Sequence, residues 1–152
     1  MSNERKQTTI LFIDYSNIQK TAMDMGFPVS FEKILENLRR EYSPLTCYVY
    51  LRNGYQKCAE FFANIGFDVV LCLANADFLM GYDIHELVAM LRPSTVIIAS
   101  HDGGVRQVAD KIERMGVTVK FLVFRTSEAL STFLEAKDTL DIVQISTPNQ
   151  PL

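Results

Sequence analysis

No two of the three cysteines, Cys47, Cys58 and Cys72, stand in a CxxC spacing or beside a histidine, which argues against a zinc cluster or a disulfide framework. Cys47 and Cys72 fall inside apolar runs, where a free thiol behaves as a small hydrophobe. Long hydrophobic runs are missing too. The apolar stretch from Ile10 to Ile13 is too short for a secretory leader, and nothing approaches the ~20 apolar residues of a membrane span. A reducing cytoplasm, with no membrane partner, is the expectation. Positive charge is also scarce: 15 Lys and Arg stand against 18 Asp and Glu, a net charge of −3. That excludes a protein that coats nucleic acid along a basic face, and leaves room for a small cleft with a few local cations. What remains is ordinary globular material, 48% hydrophobic and 22% charged over 152 residues. It suffices for one domain whose core needs no covalent or metal staple.

The domain is expected over residues 8–145, between a flexible N-terminus (1–7) and an irregular tail (146–152). Thr8 to Ile13 reads as a buried strand ending at Asp14, and Asp14-Tyr-Ser-Asn17 as a turn opening a short helix to Gly26. Ser30 suits the N-cap of a second helix, whose apolar face is Ile34, Leu35 and Leu38. Leu45–Leu51 is a strand, Gly54–Ile65 a helix stopped by Gly66, and Phe67–Leu73 a strand. A helix over 77–91 has Phe78, Tyr82 and Met90 as candidates for burial and ends before Pro93. Thr95–Ala99 is a strand, about Val105–Met115 a helix ending at Gly116, and Val117–Phe124 a strand. Ser127 would cap a last helix through about Ala136, and Leu140–Ile145 would add an edge strand. Strands alternating with helices of this length predict βαβ units. The fold class is therefore α/β: three layers, α-β-α, around a mainly parallel sheet of five or six strands.

Open parallel sheets bind ligands beyond the carboxyl ends of their strands, where the strand order reverses. Asp14 leaves the first strand, Asn75 and Asp77 follow the third, and His101-Asp102-Gly103-Gly104 follows the fourth. If the first and fourth strands are neighbours, Asp14 and Asp102 flank the crevice. Carboxylates brought together repel unless a cation compensates, and a hard ion such as Mg²⁺ is the usual solution. Gly103-Gly104 at a helix start would offer backbone N–H groups to an anion. Plainer roles exist as well: Asp14 as a turn residue, Asp77 as an acid in a helix's first turn, Gly103-Gly104 as a tight connection. Asp83 lies about 120° around the helix from Asp77 and so either supports the site or faces solvent. His101 borders the site, whereas His85 reads as packing or surface. Consecutive Ser100, His101 and Asp102 cannot form a nucleophilic triad.

Taken together, Ile10-Leu-Phe-Ile-Asp14-Tyr-Ser-Asn17 resembles the opening of NYN domains, PIN-like ribonucleases with a strand followed by D-x-x-N. Asp77 and Asp83 match the spacing of two acids in that family's central helix, and Ser100-His-Asp102 is similar to its S-x-D motif. Gly116-Val-Thr-Val-Lys-Phe121 and Ser127-Glu-Ala-Leu130 extend the resemblance over about residues 8–145. It implies a Mg²⁺- or Mn²⁺-dependent endoribonuclease with a PIN-like, Rossmann-like fold. Asp14, Asp77 and Asp102 would be metal ligands, and Asn17 would orient Asp14 or the scissile phosphate. Two departures stand out: Gly104 replaces the second acid of S-x-D-x-D, and Asn75 stands where many members carry lysine. The alternative is a non-catalytic RNA-binding or assembly module that keeps the fold. RNA contacts are expected from Arg52, Arg106 and Lys20, from His101 and Gly103 at the site's border, and from Tyr15 stacking on a base. A response-regulator-like pocket is disfavoured, because Tyr15 and Ser16 stand where its second acid would be. The sequence leaves a homo-oligomer open and does not specify one.

Overall fold

The computed structural model describes residues 6–73, 76–126 and 128–146, with Lys6 and Asp77 for their backbone alone. Six strands form one sheet in the order β3-β2-β1-β4-β5-β6, every pair parallel. They are β1 (Lys6–Asp14), β2 (Leu45–Arg52), β3 (Asp68–Cys72), β4 (Pro93–Ala99), β5 (Thr118–Val123) and β6 (Thr139–Asp141). The central strand β1 carries Ile10, Leu11, Phe12 and Ile13, each at most 3% exposed. Four consecutive buried apolar residues are what a sheet covered on both faces requires of its central strand.

The covering helices divide into two layers. On one side lie α1 (Tyr15–Met25), α2 (Phe31–Glu41), α3 (Ala59–Ile65) and α7 (Ile142–Ile145), packed on Leu11, Ile13, Val49 and Ile97. On the other lie α4 (Ala76–Leu91), α5 (Val105–Arg114) and α6 (Thr132–Glu135), packed on Phe12, Tyr50, Val96 and Ile98. Ser30 caps α2 by accepting from the Lys33 N–H at 3.2 Å. Gly66 closes α3 at a φ of 110°, in the left-handed region, where a residue with a Cβ is strained. Among the described residues no helix is long and apolar enough to cross a membrane.

The elements depart from the sequence reading at several points. β1 begins at Lys6, so part of the expected loose N-terminus is strand; residues 1–5 lie outside the described residues. The helix expected over 54–65 is a 3-10 turn (Gln56–Cys58) followed by the shorter α3. β4 starts on Pro93 itself, a first-strand position where a missing N–H is tolerated. Ser127, the expected cap of the last helix, lies outside the described residues, and helix is confined to Thr132–Glu135. The expected edge strand stops at Asp141, because its carboxylate accepts from the Val143 N–H at 3.1 Å and turns the chain into α7. Residues 147–152 of the tail are likewise outside the described residues.

The inward face of α4 is also corrected. Phe78, Tyr82 and Met90 are 81%, 61% and 69% exposed, while Ala76, Met80, Ile84 and Val88 are buried. The buried four form one row at i, i+4 spacing; Phe78 lies two residues, about 200°, away from it. The helix is apolar on both sides, so periodicity alone does not choose between them. Close approach of α5 reinforces the buried side: a Cβ at Gly81 would stand 3.1 Å from Val108.

Candidate functional site

Strand order reverses between β1 and β4, the first moving out toward β2 and β3 and the second toward β5 and β6. Ile13 pairs with Ala99 at the carboxyl end, so Asp14 and Ser100 leave the sheet side by side. Beyond them is an open depression of about 370 Å³, bordered by Asp14, Asn17, Lys20, Arg52, Tyr55 and Asp102, with Ala76 at the start of α4.

Each side chain there is held by its own loop. Asp14 is 4% exposed and is the N-cap of α1: its Oδ1 accepts from the Asn17 N–H at 3.4 Å and from the Ser16 hydroxyl at 3.3 Å. Asn17 spans the crevice, its Oδ1 accepting from the His101 N–H at 2.7 Å. That bond fixes the amide's orientation and leaves Nδ2 with both protons for another acceptor. On the β4 side, Ser100 is fully buried and its Oγ accepts from the Asp102 N–H at 3.1 Å. The Asp102 carboxylate in turn accepts from the Gly104 N–H at 2.9 Å, a short loop of the kind aspartate makes readily.

Other expected site residues are placed elsewhere. The His101 ring stacks on Phe124, centroids 5.9 Å apart, and its Nε2 accepts from the Phe124 N–H at 3.1 Å. Burial pushes this imidazole's pKa below its ordinary value, outweighing an opposing pull from the Ala129 backbone. Tyr15 packs against Phe31, Tyr55 and Phe62 under the α1 layer. Burial, with a smaller contribution from neighbouring Cys58, pushes its phenol up to about 12. Arg106 lies along α5, 3.8 Å from Asp110 and over the Phe133 ring, and Gly103 also neighbours Phe133. Gly104 borders a separate groove of about 520 Å³ between α4 and α5. Asp83 receives the Tyr50 hydroxyl at 2.8 Å. Asp77 opens α4 next to Ala76, but its side chain, like all of Asn75, lies outside the described residues.

Asp14, Asn17, Lys20, Arg52 and Asp102 are therefore brought together; Tyr15, Arg106 and the His101 ring are not among them. Tyr55 is the aromatic at the depression, and sequence reasoning missed it. Its signal was present: Asn53-Gly54 directly after a strand marks a tight turn, which returns the next residue toward the strand end. Among the described residues no three His, Cys, Asp or Glu side chains stand close enough to hold a metal. The described carboxylates bordering the depression are those of Asp14, Asp24 and Asp102.

The profile of the family described as NYN domain matches residues 8–142. No curated protein matches the chain. A crystal structure of a protein of unknown function from Vibrio parahaemolyticus RIMD 2210633 superposes with a TM-score of 0.72, covering 93% of this chain and 95% of its own at 16% identity. That likeness is one of fold.

Proposed function

The chain belongs to the NYN domain family, within the PIN-like nuclease superfamily, and from that membership we propose that it is a Mg²⁺- or Mn²⁺-dependent endoribonuclease. The observation that carries the reading is the meeting of Asp14, Asn17 and Asp102 at one depression on the β1/β4 switch point. Two carboxylates fit a hard divalent ion that takes one or two from protein and completes its shell with water and substrate phosphate. Asp77, entering beside Ala76, would add a third. When bound, such an ion supplies an activated water and neutralises charge on the phosphoryl group.

The chain's own residues do the positioning. Ser16 and the Asn17 N–H hold the Asp14 carboxylate in one orientation, and the Gly104 N–H does the same for Asp102. Asn17, with its oxygen taken by His101, offers Nδ2 to a phosphate oxygen. Lys20 and Arg52 add positive charge at the rim, so that a polyanion can approach an acidic pocket. A cytoplasmic setting belongs to the same proposal, since Cys47, Cys58 and Cys72 are all free thiols, as a reducing compartment keeps them.

The test is cleavage of a mixed pool of single-stranded and structured RNA with Mn²⁺ or with EDTA. Metal-dependent cutting is expected, and Asp14→Asn and Asp102→Asn should each reduce it to background. Asparagine caps a helix as well as aspartate does, so Asp14→Asn keeps the fold while removing the charge. Native cutting rates in either variant would sink the assignment. A second reading, an RNA-binding module without catalysis, is favoured by Gly104, which leaves the β4 loop one acid short. RNA bound by the wild type but never cut would select it.

A further inference from the structure

We propose that the turn Arg52-Asn53-Gly54-Tyr55 is a preformed subsite for one unstacked nucleobase and its phosphate. The inference rests on the RNA reading above and names what that site selects.

Three observations carry it. The first is construction. The Tyr55 N–H donates to the Arg52 carbonyl at 3.0 Å, closing a four-residue turn whose third position, Gly54, has a φ of 105°. The Gln56 side chain then braces the turn from outside, accepting from the Gly54 N–H at 2.8 Å and donating to the Asn53 side chain. The second is the aromatic. Tyr55 is half-buried, fixed edge-to-face against Tyr15 at 5.3 Å and 78°, with the Arg52 guanidinium 5.9 Å from its ring centre. An aromatic face and a guanidinium plane are the two surfaces on which proteins stack unpaired bases. The third is charge. Lys33, Arg40, Arg106, Lys120 and Lys137 each lie within ion-pair distance of a carboxylate. Arg52 and Lys20, like Arg39, Lys57, Lys111, Arg114 and Arg125, have no such partner among the described residues, and of these it is Arg52 and Lys20 that border the depression, with Asp24 and Asp102. Both cations border the depression that Tyr55 also borders, where a phosphodiester can meet them. A duplex cannot use this subsite, because its base faces are covered by their neighbours.

Binding is measured by fluorescence anisotropy with the full chain in Ca²⁺-containing buffer, using a labelled uridine 12-mer and a duplex of equal length. The wild type should prefer the single strand by about tenfold or more, within the range one stacked base supplies. Tyr55→Leu, which keeps bulk against Tyr15 but has no ring, should weaken single-strand binding about 5- to 100-fold and leave duplex binding alone. Tyr55→Phe should bind as the wild type. Arg52→Ala should weaken binding and lower the slope of log K against log[salt] by about one. Gly54→Ala, which meets no atom within 4 Å but strains the turn, should weaken binding with both recognition side chains intact. Circular-dichroism melting of each variant separates lost binding from lost folding. Equal affinity for duplex and single strand, or wild-type affinity in folded Tyr55→Leu, overturns the subsite. The nuclease reading fails separately: a protein that shows the Tyr55 dependence but never cuts with Mn²⁺ keeps the subsite and loses catalysis.

Discussion

The helices α2 and α4 cover opposite faces of the same sheet and are finished in opposite ways. In α2, Phe31, Ile34, Leu35 and Leu38 are buried, and the outer side carries Glu32, Lys33, Glu36, Arg39 and Arg40, with Glu36 bridged to Lys33 and Arg40. In α4, the row Ala76, Met80, Ile84 and Val88 is equally buried, yet the outer side presents Phe78, Tyr82 and Met90 to solvent. Burial in the structure is thus similar for the two helices, while legibility in the sequence is not. A helix announces its inner face only when its outer face is polar.

The largest effects should come from the inner rows. Leu35→Ala and Met80→Ala each empty a fully packed site and should cost about 2–5 kcal/mol in denaturant unfolding. If Phe78→Ala costs as much as Met80→Ala, the inner face of α4 is assigned wrongly and the comparison breaks.

Next in size is the polar tie that holds α4 to the sheet. Tyr50→Phe removes the hydroxyl donated to Asp83 and should cost about 1–3 kcal/mol, in the range for a hydrogen bond to a charged acceptor. The same tie sets an alkaline limit. Burial, then the Asp83 hydrogen bond, raises the Tyr50 pKa above its ordinary 10, and burial raises Cys47 to about 12. Above the unfolded values of 9 and 10 the unfolded chain releases these protons first, so it binds fewer than the native state and stability falls as pH rises. Thermal melts should decline from about pH 9 upward, and Tyr50→Phe should flatten the decline. An acid limb follows from His101, whose folded pKa lies below its ordinary value. Below about pH 6.5 the unfolded state takes up a proton that the native ring resists, so stability falls as pH falls.

Smaller still are the caps. Ser30→Ala should cost α2 about 1 kcal/mol, with RNA cleavage unchanged because the residue is remote from the depression. Asp14→Asn should cost α1 almost nothing in stability and all of the activity. Activity retained in Asp14→Asn, where the cap survives and the charge does not, would mean that capping, and not charge, is what Asp14 contributes. Least of all, Phe78→Ser and Tyr82→Ser should stay within about 0.5 kcal/mol of wild type, as exposed substitutions do.

The sheet was readable because its central strands carry continuous apolar runs. Val96-Ile-Ile-Ala99 and Ile10-Leu-Phe-Ile13 are buried at the centre of the sheet, and the carboxylates that follow them lie at its one carboxyl end, whereas the equally apolar Val69-Val-Leu-Cys72 forms an edge strand. The termination of short elements was not readable, since it turns on single hydrogen bonds such as that of Asp141 to Val143. Nor was the choice between Tyr15 and Tyr55: both are tyrosines beside a strand end. Both are half-buried, and packing against Phe31 and Phe62 turns Tyr15 toward a neighbouring groove, while Tyr55 borders the depression. Asp83 had two readings on the helix; the buried Tyr50 hydroxyl, invisible to helical spacing, ties its carboxylate to the sheet.

The place of β1 in the strand order has a consequence in time. Flanked on both sides by parallel neighbours, β1 can release its amide hydrogens to solvent only when the whole sheet comes apart, so the end carrying Asp14 should exchange at the rate of global unfolding. The turn carrying Asp102 has no strand on either side and is held by side-chain bonds, at Ser100 and Gly104 and through His101 to Asn17 and Phe124, and should open more often than the sheet. One half of the crevice is therefore permanent on the scale of the fold and the other is renewed continually, with Asn17 as the clasp between them.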